Sequence, residues 1–265
     1  MASSEQPEIT LYWLNSSRAQ RIVWLLEELE LKYEVVVYHR EKSMLAPPEL
    51  GKIHPLGKSP VVTIKRAGSA KTVVLAESGF IMQYLCDHFG RGKSIVPKRY
   101  TEGQEGVVGE ETEEWMRYQY FLYYSEGSLM PYMTVAVILS IFRGDRVPLL
   151  VRPITSFIAG KVSSTFLFSA MKKHLAFLES QIATSPGGGK YLCGQHLTAA
   201  DIILRYPLLA ARERLSAMVV DGKSVTEAYP LLWAYLDRLE EEPGYKKAVT
   251  RIEEVEGKKD KELMG

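Results

Sequence analysis

Residues 9–38 read ITLYWLNSSRAQRIVWLLEELELKYEVVVY, and this stretch decides the fold. Its two ends, Ile9–Leu14 and Tyr33–Tyr38, are rich in β-branched and aromatic residues, which indicates two strands. Between them, apolar residues recur at the i, i+3, i+4, i+7 spacing of an amphipathic helix: Ile22, Leu25, Leu26 and Leu29. A helix that joins two strands within so few residues predicts a βαβ unit whose strands run parallel.

Two more strands and a helix follow this unit. The segments PVVTIK (60–65) and KTVVLA (71–76) are separated by AGSA, which predicts a hairpin. A helical pattern begins at Glu77 and ends near Gly90. We therefore expect an α/β domain over residues 1–92, followed by a polar, glycine-rich linker over 93–108.

Residues 109–265 show helical patterns and no convincing strand pattern, so we expect an all-helical domain there. One helix or two are expected in the first part of it, with an adjustment near Gly127 and Pro131. The turn-rich segment RGDRVPLLVRP (143–153) interrupts the helices, and a further helix is expected from Lys161.

The composition is that of an ordinary globular protein, with 46% hydrophobic and 25% charged residues. Lys and Arg number 33 against 32 Asp and Glu. This balance argues against a partner that binds through overall charge, such as nucleic acid or an anionic membrane.

The N-terminus shows no secretory signal. The longest mostly apolar run, Leu129–Phe142, is shorter than the roughly 20 residues that span a bilayer. We expect a buried helix there and a cytoplasmic protein, and leave peripheral membrane association open.

The chain has two cysteines, Cys86 and Cys193. Two cysteines in a chain of 265 residues form no disulfide framework, and their spacing is not that of metal ligands. We therefore predict two free thiols, no metal site and a reducing compartment.

The segment LAESGFIMQYL (75–85) places Glu77 and Ser78 at the start of a predicted helix. A hydroxyl can accept an unpaired backbone N–H there, and a carboxylate suits the positive end of the helix dipole. Capping alone explains both residues. The alternative is that they bind the ammonium and carboxylate of a ligand.

The segment HPLGKSP (54–60) ends in a proline at the start of a predicted strand. A cis Ser59–Pro60 bond would expose the N–H and C=O of Ser59 to an extended peptide, which could pair with them as an added strand does. A trans proline that only starts the strand is the commoner arrangement, and the local sequence favours it.

Asn15, Ser16 and Ser17 precede the first predicted helix and can cap it. The same position offers a second role. Unpaired N–H groups and the helix dipole can stabilise a thiolate, and a hydroxyl or amide can donate a hydrogen bond to it. Capping is the simpler explanation, and both stay open.

Two features of the second half have mainly structural interpretations. Thr198 and Asp201 in LTAAD have the spacing of a capping box, so replacing Asp201 should damage folding more than chemistry. The helix from Trp115 to Tyr124 is unusually rich in aromatic residues. Most of them should pack against other helices, and a few could line an apolar pocket.

Four segments in order resemble the glutathione S-transferase family over nearly the whole chain: SRAQRIVWLLEEL, PPELGKIHPLGKSPVV, LAESGFIMQYL and LTAADIILRYP. The PPEL-K-IHPLG segment and YSEGSL are most similar to a fungal branch. The resemblance implies an α/β thioredoxin-like N-terminal domain and an all-α C-terminal domain. It also implies a cytoplasmic detoxification enzyme, a homodimer, with glutathione as co-substrate and no other cofactor.

The resemblance also assigns roles. The Ser59–Pro60 bond would be cis, and Ser59 would pair with the cysteinyl backbone of glutathione. Glu77 would meet the ammonium, Ser78 the carboxylate, and Lys58 the glycine end. Three aromatic residues would form the electrophile pocket: Trp115, Tyr118 and Tyr123. The segment directly after the first strand contains no cysteine, so cysteine-dependent classes are disfavoured. Three residues share the thiol-activating role: Asn15, Ser16 and Ser17.

The resemblance leaves the reaction open. The first expectation is conjugation of the glutathione thiolate to hydrophobic electrophiles, with glutathione peroxidase activity as a variant. The first alternative is a ligandin-like protein that binds hydrophobic compounds or glutathione conjugates without turnover. The second is a regulatory or scaffold protein that keeps only the fold. Residues 133–166 form a longer stretch than the family has, and the sequence assigns it no role.

Overall fold

A computed structural model describes residues 6–257 of the protein. The strands are β1 (Glu8–Leu14), β2 (Glu34–Tyr38), β3 (Val61–Lys65), β4 (Thr72–Ala76), β5 (Val219–Val220) and β6 (Lys223–Ser224). The helices are α1 (Gln20–Glu28), α2 (Leu50–Ile53), α3 (Ser78–Phe89), α4 (Glu113–Tyr124), α5 (Met130–Ile141), α6 (Arg152–Val162), α7 (Phe168–Ala183), α8 (Ala199–Arg214), α9 (Val225–Ala228), α10 (Pro230–Glu240) and α11 (Pro243–Glu256). A 3₁₀ turn covers Pro186–Gly188.

The first four strands form one sheet in the order β2-β1-β3-β4. β1 and β2 pair in parallel, as the βαβ pattern predicts, and the β3–β4 hairpin is antiparallel. The four periodic apolar residues of the first helix are all buried, which confirms the predicted amphipathic face: Ile22, Leu25, Leu26 and Leu29. The thioredoxin-like α/β architecture is therefore present in the first part of the chain.

The chain forms two compact units. One contains the described residues up to Pro97 together with those from Leu239 onward, and the other runs from Lys98 to Arg238. The predicted boundaries at residues 92 and 109 divide the chain along its sequence and stay a prediction. The first unit includes the C-terminal helix because α11 packs against α1.

Gly244 permits the close approach of α11 to α1. A Cβ at this position would clash with the carboxylate of Glu28. That carboxylate accepts a hydrogen bond from Trp24 Nε1 (2.9 Å), and burial raises the pKa of Glu28 above its ordinary value. The Trp24 ring meets Tyr245 edge-on at 5.1 Å between centroids. At the other end of α11, Trp13 Nε1 donates to Glu256 Oε1 (2.6 Å).

In the second unit, α8 packs against α4 and α5 and is buried along most of its length. The predicted capping box is confirmed. Asp201 accepts from the backbone N–H of Thr198 (2.8 Å) and from its hydroxyl (2.7 Å), and also from Leu192 N (3.0 Å) and the Tyr235 hydroxyl (2.7 Å). α8 continues through Pro207.

Both cysteines are buried free thiols, as predicted, and burial raises the pKa of Cys193 well above its ordinary value.

Three details of the helical region differ from the predictions. The expected adjustment near Gly127 is a π-helical turn, Ser125–Leu129, and a second one, Ser163–Leu167, joins α6 to α7. A helix expected from Lys161 already begins at Arg152. The two short strands β5 and β6 form a small hairpin that the sequence did not predict. Each strand has two residues, which is too few to show an alternation of apolar and polar side chains.

Candidate functional site

The sheet register brings three predicted site segments to one edge of the first unit. Tyr12 near the end of β1 lies opposite Val61 at the start of β3, and Val61 lies opposite Ala76 at the end of β4. The residues that follow β1, precede β3 and follow β4 therefore meet at the same edge. These are Asn15–Ser17, Ser59–Pro60 and Glu77–Ser78.

Ser17 and Ser59 come into contact across two of these segments. Their hydroxyl oxygens lie 3.5 Å apart. The Ser59 hydroxyl donates to the carbonyl of Tyr12 (2.9 Å), and the Ser17 hydroxyl accepts from the N–H of Ala19 (3.2 Å). The Ser59 proton is thus engaged, so Ser17 is the donor in the Ser17–Ser59 contact. Because 3.5 Å is near the limit of a hydrogen bond, a better acceptor can capture the Ser17 proton at little cost.

The expectation that Asn15, Ser16 or Ser17 caps α1 is wrong. The helix begins at Gln20, and its N-cap residue is Ala19, which makes no side-chain capping bond in the described structure. The three residues instead form a bend between β1 and α1, in which Ser16 has a positive φ of 49°. Ser17 alone keeps a link to the helix start, through its bond from Ala19 N–H.

Arg40 holds this bend in place, and the sequence analysis missed it. Its guanidinium donates to the carbonyls of Asn15 (3.2 Å), Ser16 (3.1 Å) and Met44 (2.9 Å), and its backbone N–H donates to Asn15 Oδ1 (2.7 Å). The amide oxygen of Asn15 is therefore used inside the protein. A signal existed: β1 and β2 are parallel, so the residues that follow them must lie side by side.

The Ser59–Pro60 peptide bond is cis. The local sequence favoured trans, and that expectation is wrong, whereas the expectation from the family resemblance agrees with the structure. The isomer depends on the tertiary surroundings of Ser59, which a local pattern does not contain. Lys58, directly before this bond, is exposed.

Glu77 is the most unusual residue of the site. Its φ and ψ are 70° and 118°, a conformation that non-glycine residues rarely adopt. Glu77 occupies the N-cap position of α3, but its side chain makes no capping hydrogen bond in the described structure, so the capping explanation is wrong for this carboxylate. The side chain is exposed, and Ser78 beside it is 5% exposed. Backbone strain of this kind costs about 1–3 kcal/mol and is concentrated at functional sites.

The three predicted pocket residues of α4 differ in exposure. Tyr118 is 1% exposed, so its ring does not line an open surface, while Tyr123 is 65% exposed. Trp115 is partly exposed, and the guanidinium of Arg99 lies over its ring at 4.5 Å from the centroid. The assignment of Trp115 and Tyr123 to an electrophile pocket stays a prediction.

An aromatic cluster around His174 in the second unit was not predicted. The Tyr124 hydroxyl is 2.7 Å from His174 Nδ1, and the rings of Tyr132 and Phe177 pack against this pair. Burial lowers the pKa of His174 and raises that of Tyr124 well above its ordinary value. The neutral forms are therefore favoured, with Tyr124 as donor. His174 and Tyr124 are 50 positions apart, so no local pattern could show the pair.

No group of three or more His, Cys, Asp or Glu side chains in residues 6–257 is arranged to hold a metal ion.

Comparison with known sequences identifies two family domains. Residues 7–87 match the family model "Glutathione S-transferase, N-terminal domain", and residues 158–249 match "Glutathione S-transferase, C-terminal domain". Glutathione S-transferase 1 of Saccharomyces cerevisiae is 34% identical over 239 residues, which cover 90% of this chain and 93% of that protein. Glutathione S-transferase 3 of Schizosaccharomyces pombe is 31% identical over 204 residues, or 77% of this chain and 74% of that protein.

Solved structures agree with this match. A glutathione S-transferase from Actinobacillus pleuropneumoniae is 27% identical with a TM-score of 0.63, and the alignment covers 92% of both chains. A glutathione transferase from Phanerochaete chrysosporium with oxidised glutathione has a TM-score of 0.66 at 18% identity, over 97% of this chain and 100% of that one. A glutathione transferase homologue from Lodderomyces elongisporus with two glutathione molecules per subunit has a TM-score of 0.65 at 23% identity, and the alignment covers 91% of this chain and 97% of that one. The last two share the fold.

Proposed function

Because this chain belongs to the glutathione S-transferase family, we propose that it conjugates the glutathione thiolate to hydrophobic electrophiles, with the Ser17 hydroxyl as the group that stabilises the thiolate. The observation that carries the assignment of Ser17 is its 3.5 Å approach to the hydroxyl of Ser59 at the shared sheet edge. Among the three candidates, Ser17 is the one whose hydroxyl contacts Ser59 in the described structure, whereas Asn15 and Ser16 contact Arg40 through their amide and carbonyl oxygens.

The other residues at this edge suit the rest of glutathione. Ser59 would pair through its backbone with the cysteinyl unit, as an added strand does. The exposed carboxylate of Glu77 would meet the ammonium, and Ser78, at the first turn of α3, would meet the γ-glutamyl carboxylate together with the helix N-terminus. Lys58 would lie near the glycine carboxylate. The related structures from Phanerochaete chrysosporium and Lodderomyces elongisporus contain oxidised glutathione and glutathione, which supports the same ligand here.

The energies are sufficient for thiol activation. A free thiol has a pKa of about 8.5, and each unit of lowering needs about 1.4 kcal/mol of preferential thiolate stabilisation. A hydrogen bond to a charged group contributes roughly 1.5–3 kcal/mol, and a helix N-terminus adds roughly 0.3–1 kcal/mol. The first turn of α1 reads QRIV and carries no acidic residue that would cancel its dipole. Together these contributions bring the thiol pKa close to neutral without a general base.

In the proposed reaction, the bound thiol loses its proton to solvent and the thiolate attacks the electrophilic carbon. A sulfur–carbon bond forms, and the leaving group departs with the bonding electron pair. With a hydroperoxide, the same thiolate would attack the peroxide oxygen, breaking the O–O bond to give glutathione sulfenic acid and, after protonation, the alcohol. The thiol of a second glutathione would then attack the sulfenic sulfur, forming the disulfide and releasing water. We propose detoxification in the cytoplasm by a homodimer as the setting, and Trp115 and Tyr123 as part of the electrophile pocket. Kinetics would test the pocket, because Tyr123→Ala should raise the KM for the electrophile more than that for glutathione.

A thiol titration tests the proposal directly. The ultraviolet absorbance of the thiolate is followed against pH for glutathione bound to the full chain and to the Ser17→Ala variant. We expect a pKa at least one unit below the free value with the wild-type chain and a smaller shift with the variant. Binding with an unshifted pKa would instead support the ligandin-like alternative. Absence of binding would overturn both.

A further inference from the structure

Residues 137–166, named here the apolar hairpin, contain the end of α5, the connecting loop, α6 and most of the second π-helical turn. The described chain exposes 25 large apolar side chains, and 12 of them lie in these 30 residues. The most exposed are at the tip and on α6: Leu149 (75%), Leu150 (93%), Ile154 (62%) and Phe157 (67%). A soluble monomer seldom exposes so concentrated an apolar surface, so the hairpin indicates an interaction site.

The helix α6 has its apolar side turned outward. Ile154, Phe157 and Ile158 are exposed and recur at helical spacing, and Leu150 in the turn before the helix is exposed as well. The opposite side faces the end of α5: Ala159 is buried, and the Thr155 hydroxyl donates to the Phe142 carbonyl (2.7 Å). A solvent-facing helix has the reverse pattern, so something other than water is expected to cover the outer face of α6.

The hairpin is held firmly in this orientation. Ala159 and Ser163 are buried, and the Ser163 hydroxyl accepts from Arg143 (3.0 Å) and donates to the carbonyl of Ala159 (2.8 Å). The Arg143–Ser163 bond ties the residues after α5 to the end of α6. Exposure of the apolar face is therefore part of the folded structure.

Crossing a membrane does not fit this structure. Among the described residues, the continuous helical segment Arg152–Ala183 is long and apolar enough to cross a membrane, judged by length and composition alone. In its most apolar stretch, 22% of the residues are buried inside the protein. Its second half packs inside the second unit, where four side chains are buried: Leu167, Met171, Leu175 and Leu178. Spanning a bilayer would require this half to leave the core. A position parallel to a surface leaves the core intact.

The charges on the hairpin distinguish a lipid surface from a second copy of the chain. The hairpin carries four basic residues and one acidic one, while the whole chain has a net charge of +1. Arg152 pairs with Asp145 at 3.1 Å. The basic residues stand among exposed apolar side chains, as in helices that lie in the membrane interface and contact anionic headgroups. Two hairpins facing each other would instead bring like charges together.

We propose that the apolar hairpin docks this enzyme on the surface of lipid bilayers that contain anionic lipids. Leu150, Ile154 and Phe157 enter the boundary between headgroups and acyl chains, and Arg143 and Arg146 contact the headgroups. The balanced charge of the whole chain argues only against recruitment by bulk charge. The docking depends on local charge combined with local apolar area, and it is independent of the thiol chemistry.

Flotation with lipid vesicles tests the docking. The full chain is mixed with phosphatidylcholine vesicles, with or without about 30% phosphatidylserine, and centrifuged through a density gradient. We expect the protein to float with both, and at least about 5-fold more with phosphatidylserine present. The double variant Leu150→Glu/Phe157→Glu should lose flotation by about 10-fold or more. Arg146→Glu should reduce the preference for phosphatidylserine.

Matched controls come from exposed apolar residues outside the hairpin. Val108 is 96% exposed and Val219 67% exposed, so Val108→Glu/Val219→Glu makes the same change in charge and should float like the wild type. Circular dichroism and glutathione binding show that each variant is folded. The docking is overturned if the wild type stays at the bottom of the gradient, or if the Leu150→Glu/Phe157→Glu variant floats equally well. It is also overturned if the only effect of these two substitutions is to dissociate an oligomer of the protein, because a second copy of the chain would then cover the hairpin.

Discussion

The hydroxyl oxygens of Ser17 and Ser59 lie 3.5 Å apart, although 42 positions separate the two residues along the chain. Ser59 donates its proton to the Tyr12 carbonyl at 2.9 Å, so the weaker contact uses the proton of Ser17. A thiolate placed at this edge would be a stronger acceptor than the Ser59 oxygen, because hydrogen bonds to charged groups are about twice as strong. This relationship singles out Ser17 among the three residues that the sequence left equal.

Replacing Ser17 by alanine should lower kcat for a model aryl halide by about 10- to 100-fold, since it removes one charge-assisted hydrogen bond. The KM for glutathione should change little. Ser16→Ala is the matched control and should leave kcat within about twofold. The double variant should behave like Ser17→Ala alone. Steady-state kinetics would contradict the assignment if Ser16→Ala produced the loss and Ser17→Ala did not.

Two substitutions of Glu77 separate the effect of its charge from the effect of its backbone strain. Glu77→Gln keeps the strained conformation and removes the charge, so it should weaken glutathione binding about 10-fold without changing stability. Glu77→Gly should weaken binding similarly but raise the free energy of unfolding by about 1 kcal/mol, because glycine tolerates positive φ. Calorimetry and urea unfolding measure the two effects. A glycine variant less stable than the wild type would show that the backbone at φ 70° carries no appreciable strain.

Arg40 is a positioning residue, and Arg40→Lys tests it with the charge preserved. A lysine cannot reproduce the forked contacts of the guanidinium with the carbonyls of Asn15 and Ser16. We expect kcat to fall about 3- to 10-fold while the pKa of bound glutathione rises toward the free value. The titration is the decisive readout, since a purely structural role would leave that pKa unchanged in the folded variant.

Asp201 should matter for folding. Its carboxylate accepts four hydrogen bonds, and an asparagine would offer one acceptor atom and turn an NH₂ group toward the other donors. Asp201→Asn is expected to lower the free energy of unfolding by about 2–4 kcal/mol. The kcat measured at low temperature per folded molecule should stay near the wild-type value. A stable but inactive variant would assign this residue a chemical role after all.

The lowered pKa of buried His174 predicts how the stability of the protein depends on pH. Burial lowers its pKa in the folded state, so below about pH 6.5 the unfolded chain binds a proton that the folded chain does not. Stability is therefore retained above that pH and falls as the pH drops through it toward the folded-state pKa. His174→Gln keeps an acceptor for the Tyr124 hydroxyl and removes the titrating group. Thermal unfolding between about pH 5 and 7 should show a flatter dependence in this variant than in the wild type.

The local parts of the fold were readable from the sequence. The spacing of Ile22, Leu25, Leu26 and Leu29 identified α1 and its buried face, because helical periodicity is a property of neighbouring residues. The capping box of Thr198 and Asp201 was predictable for the same reason, since both partners lie within one helical turn. Helix boundaries were less predictable. α1 begins at Gln20 because the preceding residues form a bend held by Arg40, which lies on another segment.

The sequence by itself determined the order of the main elements, the family and most of the residues that could form the site, because periodicity, cap spacing and ordered motifs are short-range properties. The tertiary structure alone decided which candidate hydroxyl faces Ser59, that Glu77 adopts a positive φ without capping α3, and that α6 turns its apolar side outward. These features depend on strand register and on contacts between residues tens of positions apart. Burial and side-chain direction come from such contacts, and no local pattern specifies them.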